Sequence, residues 1–174
     1  PFRSGPWGQS VWHQEGDRYY YGIFWEEMPD LNYTNSEVTD AMYDVIRFWL
    51  DDVKVDGFRL DAIKHLIEEG SVQENTPSTH AWLKDFHTFY KSIAPTALTV
   101  GEAWTATDEA ARYVGDEADM IFEFDLAQGM IDAAKSSARG PAAIAQAITQ
   151  RFLPAGQYGA FLANHDQNRV MTQL

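Results

Sequence analysis

The sequence predicts an α/β fold in which parallel strands alternate with helices. Strand-like and helical patterns succeed one another from residue 36 onward, which is the order that a parallel sheet with crossover helices requires. The strand-like segments are short and mostly apolar, as expected when both faces of a sheet are covered. No glycine-rich phosphate loop follows any of them, which disfavours a nucleotide-binding doubly wound sheet. An eight-stranded α/β barrel and an open doubly wound sheet both fit this pattern.

Each element is predicted from local residue patterns. Residues 1–35 are expected to be irregular because glycine and proline interrupt them every few positions. A helix is expected from Asn35 or Ser36, with apolar side chains on one face as far as Val53. The elements that follow are strands over 55–62, 97–102, 120–124 and 158–164, and helices over about 78–93, 107–114, 126–138 and 141–152.

Composition excludes several classes of function. The 174 residues include 13 Lys and Arg against 26 Asp and Glu, which gives a formal net charge of −13. Such a charge repels phosphate backbones and anionic lipid surfaces, so neither nucleic acid nor a membrane is expected as the partner. The chain has no cysteine, which excludes disulfides, thiolate nucleophiles and cysteine-bound zinc.

Acidic residues stand at the carboxyl ends of the predicted strands. Asp61 ends the first strand, Glu102 the second and Asp166 the last, where it follows His165. Because the carboxyl ends of barrel strands meet at one mouth, these three carboxylates are expected to converge. Two carboxylates that face each other can cleave a glycosidic bond, one as nucleophile and the other as general acid/base.

The neighbours of these acids suggest separate roles. Arg59 lies on the same face as Asp61 two residues away, and a fixed cation favours the ionised carboxylate that a nucleophile needs. Glu102 follows apolar residues and has no basic neighbour nearby in the sequence, which suits a proton donor. The alternative is that Arg59 and Asp61 form a purely structural ion pair at a strand end.

Other candidate sites are weaker. His80 and His87 lie seven residues apart on one predicted helix with no third ligand, so they are interpreted as surface or core-edge histidines. The sequence contains neither a His-Glu-x-x-His zinc motif nor a Gly-x-Ser-x-Gly elbow, which disfavours a zinc protease and a serine hydrolase.

Four segments together resemble the α-amylase family of glycoside hydrolases, family thirteen. Residues 56–65, which read DGFRLDAIKH, resemble its fourth-strand motif, and 101–104, GEAW, its fifth-strand motif. Residues 161–167, FLANHDQ, resemble the seventh-strand motif, and 28–32, MPDLN, a short signature near the end of the domain inserted after the third strand. The last signature is similar to that of the group intermediate between oligo-1,6-glucosidases and neopullulanases.

The resemblance implies roles for single residues. Asp61 would be the nucleophile, Glu102 the acid/base and Asp166 a stabiliser of the distorted sugar and the transition state. Arg59 would orient Asp61, and His165 would bind hydroxyls of the sugar being cleaved. The remaining substrate-binding residues would be Lys64 and His65, on the leaving-group side, and Trp104. The backbone carbonyl of His65 resembles a calcium ligand of the family, so a structural calcium ion is expected in the parent protein.

The resemblance also implies a substrate. A small residue after the nucleophile, here Ala62, goes in this family with α-1,4 bonds, so hydrolysis of α-1,4-glucosidic bonds in starch or maltooligosaccharides is expected, with retention of configuration. Starch cannot enter cells, which favours an extracellular or periplasmic parent. The alternatives are a glucan transferase, an α-1,6-acting glucosidase, a non-catalytic barrel used for interaction, and a plain sugar-binding module. The oligomeric state is left open.

The expected organisation is that of a fragment. Residues 1–35 would be the end of the inserted loop-rich domain, and residues 36–174 would be strands four to seven of a (β/α)8 TIM barrel. The third-strand Asp-x-x-x-Asn-His motif and the eighth strand have no counterpart in the sequence. Half a barrel leaves strand edges unpaired, so the 174 residues alone are expected to be poorly folded and inactive.

Overall fold

The structure, a computed structural model, describes residues 4–174. Its strands are β1 (Trp12–Glu15), β2 (Arg18–Tyr21), β3 (Gly57–Leu60), β4 (Leu98–Gly101), β5 (Met120–Phe122) and β6 (Tyr158–Gly159). Its α-helices are α1 (Ser36–Arg47), α2 (Pro77–Ile93), α3 (Thr107–Ala110), α4 (Phe124–Ser136), α5 (Gly140–Phe152) and α6 (Val170–Gln173). A π-helical stretch, Phe48–Val53, continues α1, and short 3₁₀ segments cover Ile63–His65 and Ala111–Tyr113.

The central sheet has four parallel strands in the order β3-β4-β5-β6. Neighbouring strands in the sheet are therefore consecutive in the chain, as in a (β/α)8 barrel. The registers pair Leu60 with Gly101, Gly101 with Ile121, and Phe122 with Gly159. All four strands end at the same edge, and the predicted partial barrel of four strands is confirmed.

Helices cover the sheet through two apolar clusters. One cluster surrounds Ile121 and includes Ile63, Leu83 and Tyr113, each no more than 1% exposed. The second lies between α1 and α2 and contains Leu50, Phe86 and Tyr90. β3 and β4 pack closely because residue 57 is glycine, where a Cβ atom would lie 1.8 Å from the carbonyl oxygen of Leu98. None of the helices in residues 4–174 is long and apolar enough to cross a membrane.

Two predictions about the elements were wrong. Within residues 1–35, β1 and β2 form an antiparallel hairpin around the two-residue turn Gly16-Asp17. The aromatic residues on both sides of a Gly-Asp pair were a usable signal. The last strand ends at Gly159 rather than Asn164, since β6 pairs with β5 alone among the described strands. The predicted domain boundary at residue 35 stays a prediction.

Candidate active site

The ends of β3 and β4 place the first two acids side by side. The backbone N–H of Glu102 donates to the carbonyl of Leu60 at 2.8 Å, and the N–H of Ile63 donates to the carbonyl of Glu102 at 3.0 Å. These two bonds extend the parallel ladder past the strands on both sides of Asp61. The carboxylates of Asp61 and Glu102 therefore emerge from adjacent, fixed backbone.

One guanidinium nitrogen joins both carboxylates. Arg59 Nη2 lies 2.8 Å from Asp61 Oδ1 and also donates a hydrogen bond to Glu102 Oε2. Burial by itself lowers the pKa of Arg59, but its bonds to Glu102 and Asp61 outweigh that and raise the pKa above its ordinary value. The prediction that Arg59 accompanies Asp61 is confirmed, whereas the expectation that Glu102 lacks a basic neighbour was wrong. Arg59 lies on β3 and reaches Glu102 at the end of the neighbouring strand β4.

The shared nitrogen bounds the distance between the two acids. Two oxygens that each lie within 2.8 Å of Arg59 Nη2 are no more than about 5.6 Å apart, close to the roughly 5–5.5 Å of retaining glycosidases and below the roughly 6.5–9.5 Å of inverting ones. The two side chains differ in exposure, since Asp61 is 69% and Glu102 12% exposed. This geometry suits attack by one carboxylate and proton transfer by the more enclosed one.

The residue after Asp61 has an unusual backbone. Ala62 adopts φ 44° and ψ 39°, in the left-handed region, and starts the 3₁₀ segment that carries Lys64 and His65. Non-glycine residues rarely adopt this conformation, which costs about 1–2 kcal/mol. Such strain is typical of residues whose position a site depends on.

A cleft of about 850 Å³ opens above these strand ends. Among the sequence-predicted residues it is lined by the three acids and by the four residues expected to contact sugar beside them: Asp61, Glu102, Asp166, Lys64, His65, Trp104 and His165. Arg59 is not among the lining residues but contacts two that are. The structure thus brings together every residue that the sequence predicted for this site.

Asp166 and His165 lie on the loop after β6. The N–H of Asp166 donates to Asn164 Oδ1 at 3.0 Å, and His165 Nε2 lies 3.3 Å from Asp166 Oδ2. Both side chains are more than half exposed. Both residues line the same cleft as Asp61 and Glu102.

Lys64 and His65 are held by the chain that leads into α2. Lys64 Nζ forms an ion pair with Glu74 Oε2 at 2.7 Å, and His65 Nδ1 lies 2.9 Å from the carbonyl oxygen of Gln73. Burial lowers the pKa of His65, which favours the neutral ring at neutral pH. A neutral imidazole whose Nδ1–H donates to a carbonyl leaves Nε2 as an acceptor.

An aromatic stack supports Trp104. Its ring stacks on Phe124 with centroids 4.8 Å apart and planes 12° apart, and Phe161 meets Phe124 edge-on at 4.9 Å. Trp104 nevertheless stays 53% exposed. A flat exposed ring beside a carboxylate can stack against the apolar face of a sugar.

Three lining residues were not selected from the sequence. Trp7, Phe24 and Met28 reach the cleft from the amino-terminal segment. The rings of Trp7 and Phe24 lie 6.0 and 5.7 Å from that of His65. The crowding of aromatic residues in the first third of the chain was a signal, but it did not say which of them turn toward the strand ends.

The weak histidine candidates are core-edge residues, as expected. His80 is buried, and its Nδ1 lies 2.8 Å from Glu117 Oε2, while His87 lies 3.9 Å from Asp119. Burial raises the pKa of Glu117, and the contact with His80 partly offsets that rise. Neither histidine is among the residues that line the cleft.

The described residues show no cluster of acidic or histidine side chains for the expected calcium ion. No group of three or more His, Asp or Glu side chains in residues 4–174 is arranged to hold a metal ion. A single backbone carbonyl at His65 falls far short of the six to eight oxygens that calcium takes. The expected calcium ion therefore stays a prediction.

Comparisons with known proteins agree on one family. The family model described as alpha amylase, catalytic domain, matches residues 3–174. The chain is 38% identical over 157 residues to a trehalose synthase/amylase of Mycolicibacterium smegmatis, covering 86% of this chain and 26% of that protein. It is 34% identical over 126 residues to a glucan 1,6-alpha-glucosidase of Streptococcus pneumoniae, covering 67% of this chain and 23% of that protein.

A solved structure gives the same result. The chain superposes on an alpha-amylase from H. orenii with a TM-score of 0.81 and 32% identity, covering 95% of this chain and 34% of the other. The chain thus spans about a quarter of the curated relatives' length and about a third of this structure.

Proposed function

The chain belongs to the alpha-amylase family of glycoside hydrolases, and we propose that the whole protein cleaves α-1,4-glucosidic bonds in starch or maltooligosaccharides by double displacement. The observation that carries this proposal is the cation shared by Asp61 and Glu102 at the floor of a cleft that Asp166 also lines. It keeps the two contacting carboxylate oxygens within about 5.6 Å of each other, which supports a retaining mechanism over an inverting one.

The proposed reaction has two steps. Asp61 attacks the anomeric carbon and forms a glycosyl-enzyme ester while Glu102 donates a proton to the departing sugar oxygen. Glu102 then removes a proton from water, which displaces Asp61 and restores the starting configuration. Asp166 stabilises the positive charge that develops on the ring in both steps.

Arg59 orients both acids. Its guanidinium contacts each of them and is always charged, so it pairs with the carboxylate of Asp61 and fixes its orientation toward Glu102. Lys64 and His65 would bind the departing sugar, and His165 and Trp104 would contact hydroxyls and ring faces beside the scissile bond.

Bond specificity is part of the proposal. Ala62 lines the cleft directly after the nucleophile and leaves room there, which supports the α-1,4 preference implied by the family resemblance. The relative named trehalose synthase/amylase favours glucosyl transfer as a second candidate, and the relative named glucan 1,6-alpha-glucosidase favours α-1,6 hydrolysis as a third. A structural calcium ion and an extracellular or periplasmic location are also proposed for the parent, and no step above depends on either.

The test compares two substrates that share a maltosyl donor, maltotriose and α-maltosyl fluoride, in the whole protein. Glu102→Gln should lower kcat on maltotriose by about 10²–10⁴-fold because the departing sugar oxygen needs a proton. With α-maltosyl fluoride, the rate of the bond-breaking step should fall much less, because fluoride leaves without receiving a proton. Asp61→Asn should abolish turnover of both substrates, and the first-formed maltose should be the α-anomer by proton NMR.

The matched control is Asp132→Asn. Asp132 lies on α4, accepts a hydrogen bond from Gln128 at 2.8 Å and does not line the cleft, so its amide variant should keep full activity. Wild-type release of β-maltose, or full activity of Asp61→Asn on starch, would contradict the proposal. Products from maltose alone separate hydrolysis from transfer, since hydrolysis yields two molecules of glucose from each maltose, whereas transfer releases one glucose and attaches the other to an acceptor sugar.

A further inference from the structure

We propose that Tyr113 and Asn75 are positioning residues for the leaving-group side of the cleft. They lie outside the cleft lining and act through segment 73–75, which lies against Lys64 and His65. The inference rests on the proposed function and adds to it the part of the fold that fixes these two sugar-binding side chains.

Segment 73–75 contacts both Lys64 and His65. The carbonyl of Gln73 bonds to His65 Nδ1 at 2.9 Å, Glu74 forms the ion pair with Lys64 at 2.7 Å, and the N–H of Asn75 donates to the Lys64 carbonyl at 2.9 Å. Both the side chains and the backbone of this part of the cleft therefore depend on where segment 73–75 lies.

Tyr113 anchors the segment from the other side. Its hydroxyl donates to Asn75 Oδ1 at 2.7 Å across 38 positions of sequence. Asn75 adopts φ 53°, a left-handed conformation, so the segment turns sharply at the residue that Tyr113 holds. Asparagine tolerates this conformation better than most residues.

The tyrosine itself is fixed. It is fully buried, and the ring of His80 stacks on it with centroids 4.4 Å apart. His80 is in turn held by Glu117 at 2.8 Å. Burial raises the pKa of Tyr113, so the hydroxyl keeps its proton and remains a donor. The Tyr113 hydroxyl thus offers Asn75 a hydrogen bond from a buried, closely packed ring.

The catalytic acids do not depend on this chain of contacts. Asp61 and Glu102 are held by Arg59 and by the backbone bonds at the ends of β3 and β4. Loss of the Tyr113 hydroxyl should therefore weaken contacts with the departing sugar and leave the donor side unchanged.

The experiment uses the same two substrates on the whole protein, since they differ only in the leaving group. Tyr113→Phe should lower kcat/KM for maltotriose about fivefold, the effect of one hydrogen bond, and leave α-maltosyl fluoride within about twofold of wild type. Asn75→Gly keeps the left-handed backbone and its N–H but removes the acceptor. It should give the same pattern, and the double variant should lose no more than either single one.

Tyr90→Phe is the matched control. Tyr90 is equally buried, and its hydroxyl bonds to Thr99 and to Asp119, away from the cleft lining. This variant should be less stable yet unchanged on both substrates. If Tyr113→Phe does not fold, Asn75→Gly decides the question.

Two results would overturn the inference while leaving the proposed function intact. One is an equal loss on maltotriose and the fluoride, which indicates general destabilisation. The other is no loss on either substrate. A wild-type protein that cleaves neither substrate would instead refute the proposed function, and this inference with it.

Discussion

Ala62 connects the strand that orients Asp61 to the segment that carries Lys64 and His65. Its left-handed backbone, φ 44°, turns the chain directly after the proposed nucleophile. The side chain must be small, because branched residues at positive φ clash with their own backbone. Ala62 therefore both turns the chain after Asp61 and leaves space in the cleft.

This account predicts an unusual order of stabilities at residue 62. Ala62→Gly should change the free energy of unfolding of the whole protein by less than about 1 kcal/mol, because strain relief offsets the added freedom of the unfolded chain. Ala62→Val should lower it by about 2 kcal/mol. Denaturant unfolding measures both changes.

Ala81 supplies the control for that prediction. It is exposed in the middle of α2, where glycine costs about 1 kcal/mol and valine about half as much. At residue 81, glycine should therefore destabilise the protein more than valine does, which is the reverse of the order expected at residue 62. Equal effects of valine and glycine at residue 62 would argue against the strained backbone.

The start of α4 depends on a buried carboxyl. Glu123 is 1% exposed, accepts the N–H of Leu126 at 3.1 Å as the helix cap, and accepts the Thr107 hydroxyl at 3.0 Å. Thr107 also bonds to Asp125 at 2.9 Å. Through Thr107, the loop that follows Glu102 and Trp104 is therefore bonded to the start of α4.

A pH dependence follows from this cap. Burial raises the pKa of Glu123 above its ordinary 4.5 in the folded state. The folded state therefore holds this proton more tightly than the unfolded state, and the stability that it contributes is fully present below about pH 4.5. That contribution is lost as pH rises through the higher, folded-state pKa.

Glu123→Gln isolates the effect because the amide oxygen can still accept both hydrogen bonds. The stability of this variant relative to wild type should increase between about pH 4.5 and 7, measured by denaturant unfolding of the whole protein. Glu15→Gln, on the exposed strand β1, should show no such trend. A difference between Glu123→Gln and wild type that stays constant with pH would contradict the linkage.

The four-stranded sheet has two ends. β3 and β6 each pair with one neighbour among the described strands. Large apolar side chains on the outer helices lie partly open, among them Phe48 at 50%, Ile144 at 65% and Phe152 at 41%. Apolar exposure of this extent is typical of surfaces that another part of a protein covers.

The isolated residues 1–174 should therefore fold poorly. We expect a broad thermal transition by circular dichroism, binding of the dye ANS and no turnover of maltotriose, because within residues 4–174 neither edge of the sheet is paired and the helix faces stay open. The whole protein should melt cooperatively and bind little dye. A sharp transition with strong turnover by the 174 residues would refute this prediction.

The sequence alone determined the alternation of elements, the position of the acids at strand ends and the family, since each depends on residues near one another in the chain. It could not predict contacts between separate elements. Only the tertiary structure brought Arg59 to Glu102, Trp7 and Phe24 to His65, and Tyr113 to Asn75. The physical reason is that periodicity fixes which face of an element is apolar, whereas the packing of elements fixes which side chains meet.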